Sequence, residues 1–355
     1  MRRRIDSLRE TLHKEGLEGY LVSNGANMLY LTGFEGGSRL LISADEDCIL
    51  YVHRVNYDAA EDAVKDCEVR RVDYGDDLER VLARRIESLG LKSLGFDVMD
   101  AQTYMKIEKL LRETELKPRR DVMWALRKVK GEDELELLRK AAEITSMGMK
   151  KALEIVEDGM VERELAAEID YEMRKLGSEG TAFETIVASG PNSAYPHGGR
   201  GDRRLKRGDL IVIDIGARYR GYCSDMTRTV TLGEASPRKI EIYEAVKEAR
   251  EKALRIIRGG VKAREVDAEA RRTMAEKGYG ERFLHGLGHG VGLEVHEPPM
   301  LNPKSEDVLT PGNVVTVEPG IYIRGFGGVR IEDTVLVLEE GVEVLTRAPY
   351  QMVVR

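Results

Sequence analysis

Two stretches of the chain, KALEIVEDGMVERELAAEIDYEMRKLG from Lys151 and KALRIIRGGVKAREVDAEARRTMAEKG from Lys252, repeat one another at a constant offset of 101 residues. Gly159 matches Gly260, Arg163 matches Arg264, Glu164 matches Glu265, Glu168 matches Glu269, Met173 matches Met274 and Gly177 matches Gly278. Each copy reads as a helix, a glycine turn and a second helix. An extended apolar block follows each: LKRGDLIVIDIGARYRGYCSDMTRTVTL after the first, LTPGNVVTVEPGIYIRGFGGVRIEDTVLVL after the second. A helix pair plus hairpin, occurring twice, predicts a pseudo-twofold domain whose two sheets meet; two copies are too few for a solenoid.

Those extended blocks hold acidic residues where apolar ones are expected. Asp214 interrupts the run Leu210 to Ile215, and a carboxylate in a buried strand is costly without a metal or a cationic partner. A hairpin turning between Tyr219 and Arg220 makes Asp214 and Asp225 direct cross-strand neighbours, with Cβ atoms about 5 Å apart. In the second block a turn on Gly325 does the same for Glu318 and Glu332. A pseudo-twofold axis then brings four carboxylates together, and cations between them relieve the repulsion. Carboxylate oxygens suit Mn²⁺ or Fe²⁺, and an added histidine suits Co²⁺ or Zn²⁺. The competing reading pairs each acid with an arginine such as Arg228 or Arg330; four acids at matched repeat positions argue against it.

Four of the six histidines, His197, His285, His289 and His296, fall in two short segments beside these acids. The other two, His13 and His53, have no partner nearby in sequence and read as surface or packing residues. Glycines at 286, 288, 290 and 292 argue against a helix around His289 and for a strand or tight loop. One imidazole can be a ligand, and others can donate hydrogen bonds to a reacting carbonyl or oxyanion.

Other chemistries lack support. There is no Gly-Lys-Ser/Thr phosphate loop, the glycines at 286 to 292 do not fit G-x-G-x-x-G, and His296-Glu297 lacks the second histidine of a zincin. Cys223 reads as a packed thiol. Charged residues make up 34% of the chain, yet the net charge is only -7, and the one dense basic run, Arg200 to Arg207, contains Asp202 and reads as a solvated loop. Nucleic acid is therefore not an expected partner. No apolar run approaches the roughly 20 residues of a membrane span, and Met1 to Glu10 is charged, so a cytosolic protein is expected. Cys48, Cys67 and Cys223, odd in number and far apart, predict no disulfide, which agrees with a reducing compartment.

At 355 residues two domains are expected. Residues 1–126 read as a small α/β domain, with a strand at Gly19 to Val22 and a hairpin through Leu40 to Ile42 and Ile49 to Val52. Residues 127–355 form the second domain, opened by a long amphipathic helix that Asp133 can cap.

Five motifs now stand out: SGPNSAYPH ending at His197, IDIGARYRGYCSDMTRT with Asp214 and Asp225, HGLGHGVGLEVHEPP with His285, His289 and His296, TVEPGIY with Glu318, and GVRIEDT with Glu332. On these the chain resembles, over nearly its whole length, the creatinase/aminopeptidase P/prolidase group of metallopeptidase family M24. The resemblance implies an α+β pita-bread catalytic domain with a pseudo-twofold repeat, preceded by a smaller creatinase-like α/β domain that covers the site of the neighbouring subunit in a homodimer. It implies two divalent ions, Mn²⁺ or Co²⁺ before Zn²⁺ or Fe²⁺. Asp225 and Glu332 would bridge them, Asp214 would bind one, and His289 with Glu318 the other. The ions would share a water and supply a bridging hydroxide. Glu318 would also carry the proton, while His296 and His197 would serve the transition state and the leaving nitrogen.

His285 and Arg330 are the implied substrate-binding residues, and the implied substrate is a short peptide with proline second, cut by a dipeptidase or an aminopeptidase. Some prolidases place an arginine after His-Glu-x-Pro to grip a dipeptide's carboxylate. Here that place is Met300, which leaves Lys304, Arg324 or Arg330 for the task. The alternatives are a methionine or broader aminopeptidase, a creatinase, which needs no metal, and a non-catalytic peptide-binding relative, which would have lost ligands.

Overall fold

A computed structural model describes residues 1–199 and 201–354, so that Arg200 of the predicted basic loop lies outside the described residues. The chain divides into two compact units, Met1–Arg127 and Lys128–Arg355.

The first unit runs α1 (Arg2–Glu15), β1 (Gly19–Val22), α2 (Gly25–Thr32), β2 (Arg39–Ser43), β3 (Cys48–His53), α3 (Tyr57–Ala63), β4 (Glu68–Val72), α4 (Leu78–Ser88), β5 (Ser93–Phe96), α5 (Ala101–Leu110), β6 (Glu115–Pro118) and α6 (Arg120–Lys128). Its sheet has the order β4-β3-β2-β1-β5-β6. The central strands are antiparallel, and β4, β5 and β6 join in parallel, as helical crossovers allow. Leu21, Leu41, Ile49 and Leu94 lie at its core.

One expectation fails in this unit, because Cys48 and Cys67 form a disulfide with Cα atoms 4.7 Å apart. The parallel pairing of Ile49 with Glu68 sets the residue before each side by side. A sequence separation of 19 hides that adjacency from the sequence. The cysteines consequently give no support to a reducing compartment.

The second unit begins with α7 (Glu132–Ile155), α8 (Glu162–Lys175), β7 (Gly180–Thr181), β8 (Ile186–Ser189), β9 (Leu210–Ile215), β10 (Ala217–Tyr219), β11 (Tyr222–Cys223) and β12 (Met226–Leu232). The second repeat follows as α9 (Pro237–Ile256), α10 (Ala263–Glu276), β13 (Gly288–Gly290), β14 (Glu297–Leu301), β15 (Val314–Val317), β16 (Gly320–Ile323), β17 (Gly327–Arg330), β18 (Asp333–Val337), β19 (Val342–Val344) and β20 (Val353–Val354). The turns between paired helices contain Gly159 at φ 85° and Gly260 at φ 83°, a left-handed conformation that explains the repeated glycine. The helix α7 starts two residues earlier than predicted. Gly131 precedes it and donates its N–H to Glu134 Oε2 at 3.1 Å, leaving Asp133 inside the first turn.

Each helix pair packs on its own sheet. Leu165, Ile169 and Met173 of α8 share a buried cluster with Ile211, Ile213 and Met226, under the sheet β20-β12-β9-β8. Ala249, Val266 and Ala270 of α9 and α10 share another with Val315 and Val335, under the sheet β14-β13-β15-β18-β19.

The hairpin registers decide where the acids point. In the first ribbon Asp214 pairs with Thr227, and the turn falls on Arg220 and Gly221, both left-handed as a two-residue hairpin turn prefers. That is one residue later than predicted, so Asp214 and Asp225 are staggered instead of directly opposed. In the second ribbon Val317 pairs with Asp333 and Gly320 with Arg330, one register held across the break that contains Glu318 and Glu332. Those two therefore do face each other, about Gly325 as predicted.

Candidate metal centre

Asp225 lies between β11 and β12, Glu332 between β17 and β18, and His289 in β13. One ligand atom from each lies within 4.8 Å of the others. His289 Nε2 also stands 3.4 Å from Glu318 Oε1 and 3.7 Å from Asp225 Oδ2. Its other nitrogen, Nδ1, is 3.1 Å from the Gly290 carbonyl, which fixes Nδ1 as the donor and leaves Nε2 turned to the acids. The glycines flanking His289 are a steric requirement. A Cβ on Gly288 would stand 2.1 Å from the Thr316 carbonyl oxygen, and one on Gly290 2.4 Å from that of Pro298.

Burial sets the electrostatics. It pushes the Asp225 carboxyl well up, with Glu332, Asp214 and Glu318 adding to the rise. Glu332 is raised by the same desolvation and by Glu318 and Asp214. For Glu318 burial acts upward too, but the bond and charge of His289 outweigh it and hold the acid below its ordinary range. His289 is raised, because Glu318 overcomes the opposing effect of burial.

Asp214 sits beside them on β9 with a partner of its own. Arg330 Nη2 donates to Asp214 Oδ2 at 2.6 Å, Nη1 to Tyr322 Oη at 2.9 Å and to the Pro196 carbonyl at 3.0 Å, and Nε to Thr227 Oγ1 at 3.1 Å. Thr227 Oγ1 in turn donates to Glu332 Oε2 at 2.7 Å. His285 completes the wall: Nδ1 donates to the Gly286 carbonyl at 2.8 Å and Nε2 accepts from Tyr322 Oη at 2.9 Å. Burial lowers its pKa, so it is a neutral imidazole.

Behind the acids a buried network braces the ribbon. Arg228 donates to the Glu332 carbonyl at 2.6 Å and to Asp333 Oδ1 at 2.8 Å, while Arg250 and Tyr350 hold Asp333 Oδ2 at 2.6 and 2.8 Å. Arg228 is thus a buried brace, and Asp333 is its ion-pair partner. Glu297, the residue after His296, makes a buried ion pair with Lys130 at 2.7 Å.

Residues 136–339 match the model of metallopeptidase family M24, and residues 4–129 match that of the Creatinase/Prolidase N-terminal domain. The chain belongs to metallopeptidase family M24. This M24 protein is 39% identical to the Xaa-Pro dipeptidase of Pyrococcus horikoshii, with 99% of each chain aligned. It is similar to the solved Xaa-Pro dipeptidase from Bacillus anthracis at 37% identity and a TM-score of 0.94, covering 99% of both chains. It is also similar to an X-Pro aminopeptidase from Thermotoga maritima at 39% identity and a TM-score of 0.87, covering 96% of this chain and 98% of that one.

M24 membership implies divalent metal ions, and the residues fit them. Asp214 Oδ1 and Glu332 Oε1 are buried without a hydrogen-bond partner among the described residues, an expensive arrangement unless a cation completes it. Four carboxylates and one imidazole are the donor set that such ions take. The site lines a cavity of about 1300 Å³ whose wall includes all nine residues singled out in the sequence: Asp214, Asp225, His289, Glu318, Glu332, His197, His285, His296 and Arg330. The His296 ring meets that of His289 edge-on, with centroids 4.2 Å apart, and burial lowers its pKa, with His289 adding to the fall. His197 is exposed at the wall. Lys304 and Arg324 do not line the cavity, and Arg330 does so with four of its five N–H donors engaged.

Sequence reasoning missed Tyr322, Thr227 and Asp333. The signal for Asp333 was present, a second acid directly after Glu332 in an apolar strand.

Proposed function

We propose that this M24 metallopeptidase hydrolyses the bond between an N-terminal residue and a following proline, as an Xaa-Pro dipeptidase or aminopeptidase. The observation that carries the reading is the convergence of Asp214, Asp225, His289, Glu318 and Glu332 on a large cavity, with two buried carboxylate oxygens lacking partners among the described residues. Those five residues would hold two divalent ions, Mn²⁺ or Co²⁺ ahead of Zn²⁺ or Fe²⁺, which when bound acidify a water and polarise the scissile carbonyl.

The chain's own groups do the rest. Glu318, held ionised beside His289, accepts a proton from the attacking water and delivers it to the departing proline nitrogen. His296, neutral at working pH, donates a hydrogen bond to the scissile oxygen as negative charge develops there. His197, exposed on the same wall, serves the leaving nitrogen. His285 is neutral and shapes the substrate pocket, and Arg330 contributes by holding Asp214 and the Pro196 carbonyl in place. A cytosolic homodimer, without nucleic-acid or membrane partners, belongs to the same reading, in keeping with the near-balanced charge of the chain.

The test is a peptide panel with the Mn²⁺- or Co²⁺-loaded protein. Ala-Pro and Ala-Pro-Ala should be cut at the Ala-Pro bond, Ala-Ala and Met-Ala should resist, and a chelator should stop the reaction. Equal rates on peptides without proline, or hydrolysis of creatine instead, would overturn it.

A further inference from the structure

The repeat carries an arginine that the proposed chemistry does not use. In the second copy Arg264 is an ordinary surface residue, with Nη1 2.6 Å from Glu306 Oε1. Its counterpart in the first copy, Arg163, is exposed, lines the cavity, and its guanidinium has no hydrogen bond or ion pair among the described residues. Its backbone is fixed all the same, by an N–H bond of 2.9 Å to the Gly201 carbonyl. Resting on the Xaa-Pro reading above, we propose that Arg163 receives the C-terminal carboxylate of peptides that extend two or three residues beyond the scissile bond.

Charge singles it out. Among the described residues seven acidic residues, four of them the acids of the metal centre, line this cavity, against two arginines. Arg330 has four of its five N–H donors on Asp214, Tyr322, Thr227 and Pro196, so among the described residues Arg163 is the lining cation whose guanidinium is wholly free. With the four central acids neutralised by their ions, a peptide's terminal carboxylate still meets Glu162, Asp170 and Glu184 on this wall, and Arg163 offsets them.

Distance sets the substrate length. The residue before Arg163, Glu162, accepts bonds of 2.7 Å from both the N–H and the hydroxyl of Ser189. Ser189 lies three residues along β8 from Ile186, the register partner of Asp214. At about 3.3 Å per strand residue, Ser189, which holds the start of α8, lies roughly 10 Å along the strand from the partner of Asp214. A dipeptide's carboxylate lies only one residue past the cut bond; three residues of extended chain span the gap.

The floor between is suitably shaped. Arg163, Ala166, Ala167 and Asp170 follow helical i, i+3, i+4, i+7 spacing and all line the cavity. The two alanines leave room for a chain to lie across α8. Asp170 is about 10 Å along the helix from Arg163 and is held by Thr185 Oγ1 at 2.5 Å. A cavity of about 1300 Å³ is larger than the roughly 300–1000 Å³ usual for a small ligand.

The experiment compares Ala-Pro-Ala-Ala with its C-terminal amide on the metal-loaded wild type, R163A and R163K, by steady-state kinetics and by calorimetric binding. In the wild type the free acid should have a KM about tenfold below that of the amide, with similar kcat. In R163A the ratio should collapse to about one through a rise in KM for the acid alone, and R163K should retain part of it. Parity of acid and amide in the wild type, or an equal loss for both in R163A, would overturn the assignment. Should the wild type cut no Xaa-Pro bond at all, the proposed function fails. The acid-over-amide preference in binding then still decides the role of Arg163.

Discussion

Replacing Arg330 by methionine removes a permanent cation that the chain itself supplies to its acidic centre. The guanidinium is 3% exposed and makes four hydrogen bonds, the shortest to Asp214 at 2.6 Å. Methionine keeps most of the volume, so the loss is electrostatic. Removing one partner of a buried ion pair typically costs about 3–5 kcal/mol, because the other charge is stranded. That cost should appear in full only without metal, where Arg330 is the cation bonded to Asp214; bound divalent ions would take over much of that task. Calorimetric unfolding of Arg330→Met should therefore show a large drop for the chelated protein. At about 2–4 °C per kcal/mol for a unit of this size, a 4 kcal/mol loss is roughly 10 °C. The metal-loaded pair should differ by less than half as much. A loss of the same size with and without metal would refute the reasoning, because the arginine and the ions would then not share a carboxylate.

Removing the metal should also make stability depend on pH. Without ions the folded pKa values of Asp225, Glu332 and His289 lie above their ordinary ones, so their contribution is full at low pH and is lost as pH rises through the folded values. Glu318, with a lowered folded value, loses its contribution only on acidification. The melting-temperature gap between loaded and chelated protein should widen from about pH 5 to about pH 8; a constant gap would contradict the shifts. In the first unit, the bond between Cys48 and Cys67 closes a loop of 19 residues, which chain entropy values at about 3 kcal/mol. Cys67→Ser should lower that unit's unfolding free energy accordingly, read by fluorescence of Trp124, the single tryptophan, which lies in that unit; an unchanged midpoint would show that the cross-link does not constrain the unfolded chain.

The repeat was legible because it is written as identity at fixed spacing, and the structure ends α7 and α9 at Ile155 and Ile256, one offset apart. The second hairpin was legible for a similar reason: its turn is glycine-rich, so Glu318 and Glu332 alone fix its centre. The first hairpin carries a non-glycine residue, Arg220, at φ 46°, and nothing in its residue types announces that. Asp214 and Asp225 consequently came out two residues out of register. Contacts between distant segments were hidden altogether. The Cys48–Cys67 bond depends on a parallel pairing, and the Arg228–Asp333–Arg250 brace depends on three elements meeting. The partner of Asp214 lies between these cases. Pairing with Arg330 was the competing reading of these acids, and the fold realises it for Asp214 while keeping that acid beside the others.

Metal content and turnover measured on the same preparations test the central claim most directly. The wild type should bind two divalent ions per chain and cut Ala-Pro bonds in proportion to their occupancy. Asp225→Asn, which removes a central anion without loss of volume, should bind fewer ions and lose turnover while unfolding as cooperatively as the wild type. Near-normal hydrolysis by Asp225→Asn at saturating metal, or full wild-type activity with no bound ion, would contradict the account.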